Sequence, residues 1–273
     1  MYLYCLDLWP ESMRDNIPNT NSLPYRLLTR WCQKLYNGAA KIGVTSPAFQ
    51  DYLHEICLVP RENITYLPQH GEDMQHFGCL EATDNGVTDF VFMGNVGVAQ
   101  DLENVARAVS LIRTPKPFLV HIVGIGPDLE NLKKTVAQLG VEDHFRFHGR
   151  HPLEKMPDFY RLADGCLLTL YDDTAAGLTI PGKLQGYMSA GKPVIAAIGG
   201  GAAQVIAQSG CGLCAQPGKP EELAEIMTQF MEQPSQAAQM GKRGREYFEK
   251  HFSLDIFTAQ LERQLEELCP KRG

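Results

Sequence analysis

Short blocks of consecutive apolar residues alternate with longer amphipathic stretches almost from end to end of the chain. Leu3 to Leu8 is the first apolar run, and Ile42-Gly43-Val44-Thr45 and Ile64-Thr65-Tyr66-Leu67 are the next two. Between them the 3.6-residue period predicts helices over about 23–37 and 47–57. A Gly- and Asp-containing stretch, about 69–87, then interrupts the rhythm and predicts a linker. Beyond it the alternation is cleaner. Strands are expected at Phe90-Val91-Phe92-Met93, Phe118 to Val123, His144 to Phe147 and Cys166 to Leu170, with helices near 100–113, 128–138 and 153–162 between them. A short helix after Pro181 ends at Ala190-Gly191, and a strand starts at Lys192-Pro193-Val194-Ile195. Helices over about 220–232, 236–250 and 254–268 close the chain. Apolar strands joined by crossover helices predict an α/β protein with parallel sheets covered on both faces.

Glycine placement adds chemistry to that pattern. Three successive strands end in a glycine, at Gly94, Gly124 and Gly149. In an open parallel sheet the ligand crevice lies at the carboxyl ends of the strands, and glycine there lets backbone approach a ligand. Tight strand-to-helix turning is the plainer use of each one taken singly. The loop Gly177-Leu178-Thr179-Ile180 runs through Pro181-Gly182 into a helix that opens at Lys183. Such a helix start presents unpaired N–H groups and the positive end of its dipole, and so attracts phosphate.

Composition excludes several classes. With 44% hydrophobic residues in 273, the chain can bury a full core. A net charge of −7 disfavours nucleic acid and anionic lipid as general partners. No apolar run is long enough to cross a bilayer. The eight cysteines are scattered, often inside strand-like runs, and read as reduced thiols of a cytoplasmic protein. Cys211 and Cys214 form a lone CxxC, and His148 and His151 lack an evident third ligand, so no metal and no cofactor is expected. Asp172-Asp173 does not read as a metal-binding pair, and Tyr2 and Trp9 are expected in the core.

Several segments, in order, resemble the retaining glycosyltransferases of family 4, a GT-B group that uses nucleotide sugars, and the resemblance covers nearly all of the chain. Asp7-Leu8-Trp9-Pro10-Glu11-Ser12 resembles the family's "DLWPES" segment, and Val44-Thr45-Ser46 with Phe49 and Tyr52-Leu53 resembles "vvSpgfkeyL". Ile64 to Phe77 is similar to the interdomain "ItylpN…D…F", and Gly124-Ile125-Gly126-Pro127 to "GdGp". Ile180 to Leu184, Ala190 to Val194 and Gly241 to Arg245 are similar to "iPsKl", "aGkPV" and "mG.rgR". The resemblance implies a GT-B-type fold: a Rossmann-like donor domain over 81–250, preceded by a partial second Rossmann-like domain with linker over 1–80. A carboxyl-terminal helix, 251–273, would pack back toward the first domain. Only about half of a typical domain of about 150 residues precedes the linker. The parts that hold acceptor and carry a histidine near the reacting carbon are therefore expected to be missing.

Carried over residue by residue, the resemblance places the donor on Gly94, Asn95, Gly97, Gln100, Gly124, Gly126, Gly149, Arg150, Gly177, Leu178, Thr179, Ile180, Lys183 and Leu184. It assigns no catalytic residue within the chain. Relatives with "GR…KG" in the first loop hold two cations, where this chain has Asn95, Gln100 and Asp101. The family's E-x₇-E pair falls at Leu178 and Gly186, so the carboxylate that accepts ribose hydroxyls is lost; Gln185 would point elsewhere on the helix. Losing such a bond weakens binding roughly 10- to 150-fold. The implied partners are a nucleotide-sugar donor, UDP-linked, and a glycan or lipid-linked acceptor, with peripheral association at the inner membrane face left open. Beside this enzyme stands a second reading, a non-catalytic or split-enzyme module that binds donor and works as a homo-oligomer or with a partner chain supplying the acceptor domain. An exposed apolar face near 1–10 and 254–268 would favour it. Residues typical of a sugar-nucleotide epimerase are not recognisable.

Overall fold

The computed structural model describes residues 1–268 apart from 18, 78–79, 81, 83 and 172–174. Among the described residues the strands form two parallel sheets. The first has order β1-β2-β3, from β1 (Tyr2–Cys5), β2 (Lys41–Val44) and β3 (Ile64–Tyr66). Helix α1 (Leu23–Asn37) joins β1 to β2, and α2 (Pro47–Glu55) joins β2 to β3. Proline in the first turn starts α1, which buries Tyr25, Cys32 and Tyr36 against the sheet. Ser46 caps α2, its Oγ accepting the Phe49 N–H at 3.3 Å.

The second sheet has order β6-β5-β4-β7-β8-β9. Its strands are β4 (Thr88–Met93), β5 (Phe118–Val123), β6 (Phe145–Gly149), β7 (Gly165–Thr169), β8 (Val194–Ala197) and β9 (Gly212–Ala215). The helices that follow them are α3 (Leu102–Leu111), α4 (Leu129–Leu139), α5 (Met156–Leu162), α6 (Gly182–Ser189), α7 (Gly200–Ser209), α8 (Pro220–Glu232) and α9 (Pro234–His251). The strands are apolar on both faces because both are covered. Phe90, Phe92, Val120 and Ile122 pack with α3, α4 and α8 on one side. Val91, Met93, Cys166 and Leu168 pack with Tyr160 of α5, Leu184 and Tyr187 of α6, Val205 of α7 and Phe248 of α9 on the other. Chain order runs outward from β4 to β6 and then returns to β7 on the other side of β4. That reversal is a topological switch point, where ligands of open α/β sheets bind.

Helix α10 (Leu254–Leu268) lies on the first sheet, opposite α1 and α2. Tyr4 meets Phe257 edge-on with centroids 5.6 Å apart, Tyr2 Oη donates to Gln264 Oε1, and Lys41 pairs with Glu267. The expected linker runs between the two sheets. Arg245 of α9 holds it with a two-pronged grip on Asp73, while the Met74 N–H donates to Ser189 Oγ at 3.3 Å. Two details differ from the pattern-based expectation. Trp9 is 45% exposed rather than in the core, because Leu8 beside it fills that place at 0% exposure. Helix α7 was not expected, since it opens on Gly199-Gly200-Gly201, poor helix formers; burial of Ala202, Val205 and Ile206 supplies what propensity does not.

Candidate functional site

Beyond the carboxyl ends of β4, β5 and β6, three loops enclose a recess of about 470 Å³, lined by Gly94, Asn95, Gly124, Gly126, Arg150 and His151 with Met156 at its wall. The first two loops meet backbone to backbone. The Gly94 N–H donates to Val123 O at 2.9 Å, and the Val96 N–H to Ile125 O at 2.9 Å. Gly94 (φ +138°) and Gly124 (φ +152°) take backbone conformations that side chains resist, and a Cβ on Gly124 would overlap the Gly94 carbonyl. Gly126 is equally confined, against the Val96 carbonyl. Gln100 is turned back on its own loop, its Oε1 accepting the Gly97 N–H at 3.0 Å. It braces the loop rather than reaching into the recess.

Lys183 of α6 lies against Gly94, beside the recess. A Cβ placed on Gly94 would lie 3.2 Å from Lys183 Nζ, and the ammonium stands 4.6 Å from the centre of the Phe92 ring. No carboxylate pairs with Lys183 among the described residues. Burial without a counter-charge lowers its pKa from the ordinary lysine value to about 8. Pro181 precedes α6 and offers no side-chain cap, while the Leu184 N–H turns back to the Pro181 carbonyl at 2.9 Å, so the Gly182 and Lys183 N–H groups receive no cap from it. Arg150 is exposed at the rim.

The remaining expected residues serve other ends. Ile180 (6% exposed) and Leu184 (0%) are core residues whose side chains cannot reach a ligand. The Leu178 carbonyl accepts Ser46 Oγ at 2.5 Å, which ties the loop containing Gly177 and Thr179 to the first lobe. Gly149 has φ +71° with open space around it, so it serves the turn into the Arg150 loop. Asp101 stands in the sequence where relatives hold a cation of the first loop. It is instead buried (5% exposed) at the start of α3, hydrogen-bonded to Tyr171, and desolvation raises its pKa to about 6. The Gly186 position faces α5: a Cβ there would lie 3.2 Å from Tyr160 Oη. Gln185 does point elsewhere, its Nε2 donating to Gln69 O at 3.0 Å.

Asp89, His121 and His148, on neighbouring strands, form a hydrogen-bonded file that the sequence did not disclose. His121 Nε2 lies 2.8 Å from Asp89 Oδ1, and His121 Nδ1 lies 2.9 Å from His148 Nε2. Next to it, His151 Nε2 is 3.1 Å from the His148 carbonyl and lines the recess. Register pairs Val91 with His121 and Asp89 with Leu119, so Asp89 and His121 are diagonal neighbours on one face of β4 and β5, which only strand pairing reveals. Among the described residues no three His, Cys, Asp or Glu side chains are placed to hold a metal. Cys211 and Cys214 are free, and burial raises both thiols, Cys211 to about 11. Asp172-Asp173 lies outside the described residues. A larger recess of about 850 Å³, bordered by Asp164, Lys192 and Lys242, opens at the opposite end of the second sheet and holds none of the expected residues.

Residues 81–247 match the family described as glycosyl transferases group 1, and that span is more than half of the chain. The chain belongs to this family. The probable glycosyltransferase WbjE of Pseudomonas aeruginosa is 28% identical over 241 residues, 83% of this chain and 58% of that protein. A GDP-mannose-dependent phosphatidylinositol monomannoside mannosyltransferase of Mycobacterium tuberculosis is 30% identical over 143 residues, 51% of this chain and 37% of that one. The chain thus matches 58% of the length of the first of these relatives and 37% of the second. Anabaena HepE in complex with UDP superposes with a TM-score of 0.80 at 16% identity, over 97% of this chain and 72% of that chain. The GT-B-type fold expected from the resemblance is therefore the fold of this group 1 member. No described helix is long and apolar enough to cross a membrane.

Proposed function

We propose that this chain binds a nucleotide-sugar donor, UDP-linked, in the recess between Gly94, Gly124, Arg150 and Lys183, and acts as a glycosyltransferase. The observation that carries the reading is Lys183: a half-buried ammonium with no counter-charge among the described residues, set beside a helix start without a side-chain cap and a glycine-walled recess. Desolvation there is unfavourable for the lysine alone and is offset when a diphosphate arrives. Breaking the anomeric C–O bond leaves added negative charge on the departing diphosphate, and preorganised N–H groups with Lys183 stabilise that charge as it develops. Complexes of HepE with UDP and with UDP-glucose support UDP as the first donor to test. Transfer with retention to a glycan or lipid-linked acceptor, in polysaccharide assembly at the inner membrane face, completes the reading.

The test is calorimetric titration of the purified chain with UDP, GDP and ADP, followed by a UDP-sugar panel. Saturable binding of one nucleotide, lost in Lys183→Met, supports the donor site; no binding at millimolar ligand overturns it. A second reading is favoured by Gly186 and Asn95, which leave ribose and phosphate without their usual side-chain partners. In that reading the chain binds donor but transfers sugar only with a partner chain supplying the acceptor side. UDP binding with no turnover of any UDP-sugar by the chain alone is its expected signature.

A further inference from the structure

One side chain that lines the recess, His151, has no part in the reading above. It follows Arg150 in the loop after β6, and its Nε2 lies 3.1 Å from the His148 carbonyl. A carbonyl only accepts, so Nε2 holds the hydrogen, and Nδ1 of the neutral ring holds a lone pair. No described residue donates to that nitrogen. The residue that fixes it is itself fixed. Asp89 accepts from Asn85 Nδ2 at 2.7 Å on one oxygen and from His121 Nε2 at 2.8 Å on the other. With its one hydrogen on Nε2, His121 accepts through Nδ1 from His148 Nε2 at 2.9 Å. Burial, followed by His121 and His151, lowers the pKa of His148, which keeps that ring neutral at pH 7.5. Phe159 packs against the rings of both His148 and His151, with centroids 5.2 and 4.9 Å away.

Sheet order says which part of a ligand His151 can meet. Lys183 stands over Gly94 at the end of β4, and the Arg150–His151 loop leaves β6, two strands away in the order β6-β5-β4. Neighbouring strands are about 4.8 Å apart, so the loop lies about 10 Å from the end of β4. A nucleotide with its phosphates at Lys183 covers that distance with its ribose and base. At the far end Arg150 can only donate, and His151 Nδ1 accepts. We infer that this adjacent donor–acceptor pair reads the base, selecting one whose edge sets a carbonyl oxygen beside a ring N–H. Uracil has O4 beside N3–H, and guanine has O6 beside N1–H. Cytosine and adenine reverse the order, with an amino group beside a bare ring nitrogen. Against them Arg150 meets another donor and His151 another lone pair, which leaves both unpaired. The inference rests on the donor site proposed above and narrows its substrates to uridine- or guanosine-linked sugars.

Calorimetric titration at pH 7.5 with UDP against CDP, and with GDP against ADP, compares bases of equal ring size. Within whichever pair binds, the base with the ring N–H is expected to bind at least about tenfold tighter. His151→Ala is expected to bring that ratio close to one. His151→Glu, which only accepts, is expected to keep the ratio while its charge weakens both nucleotides. Lys183→Met is expected to weaken all the nucleotides alike, which separates loss of the phosphate site from loss of base reading. A smaller ratio in the parent chain, or a reversed one, overturns the inference and leaves the donor site standing. So does a ratio that His151→Ala leaves unchanged, since backbone groups would then read the base. No binding of any of the four nucleotides at millimolar concentration overturns the inference together with the donor reading.

Discussion

Burial moves Lys183 and Asp101 away from charge in opposite senses, one losing its proton more easily and the other holding it longer. For Lys183 the consequence is pH-dependent affinity. A bound diphosphate favours the ammonium, so affinity for UDP is expected to hold steady between pH 7 and about 8 and then to fall by up to tenfold per pH unit. Titration calorimetry across pH 7–10 checks this; Lys183→Met is expected to flatten the profile and lower affinity about 10- to 150-fold. For Asp101 the consequence is stability. Its folded pKa, about 6, lies above the unfolded value, so the burial penalty is full above pH 6 and fades as pH falls toward 4. Asp101 also has φ +45°, a conformation asparagine accepts. Asp101→Asn is therefore expected to gain about 1–2 kcal/mol at pH 7.5 and little near pH 4, measured by urea unfolding at both. Sequence exposed Lys183, because a lysine opening a helix after a glycine loop has a local signature. It could not place Asp101, whose role depends on Tyr171 arriving from another strand end.

At the scale of elements, most of the fold was legible because a strand or helix writes its period into its own residues. The helices over 23–37, 220–232 and 254–268 and the strand over 118–123 have the bounds that the pattern predicted. Helix α7 was hidden because glycine opens it and tertiary burial holds it. The Asp89–His121–His148 file was hidden for a different reason: its members lie on β4, β5 and β6, and their meeting depends on register. Asp89 is 1% exposed, and its other carboxylate oxygen accepts from Asn85. Removing its partner by His121→Leu would leave a buried carboxylate short of a hydrogen bond. The expected cost is about 3–5 kcal/mol, read as a lower denaturation midpoint.

At the scale of the molecule, two sheets are held together by a few specific links and one long helix. Ser46 reaches the Leu178 carbonyl on one side of the junction, and α10 covers the first sheet after α9 has packed on the second. Arg245 fastens the connecting segment, pairing with Asp73 and donating to the Ser189 carbonyl at 2.8 Å. Its guanidinium is 15% exposed, so these charge-assisted bonds are little screened. Arg245→Met is expected to lower stability by about 1.5–3 kcal/mol in chemical denaturation, leaving UDP affinity within a few-fold of the parent.

What the sequence by itself determined was local: which segments are strands or helices, where glycine is needed, and which family the chain resembles. Those features depend on residues within a few positions of one another, so the linear order carries them. Tertiary structure decided the rest. It placed Lys183 over Gly94 with no counter-charge among the described residues, buried Asp101 at the start of α3, and set Gly186 against Tyr160. Each of these depends on distances between residues far apart in the chain, and those distances exist only once the sheets have formed and packed.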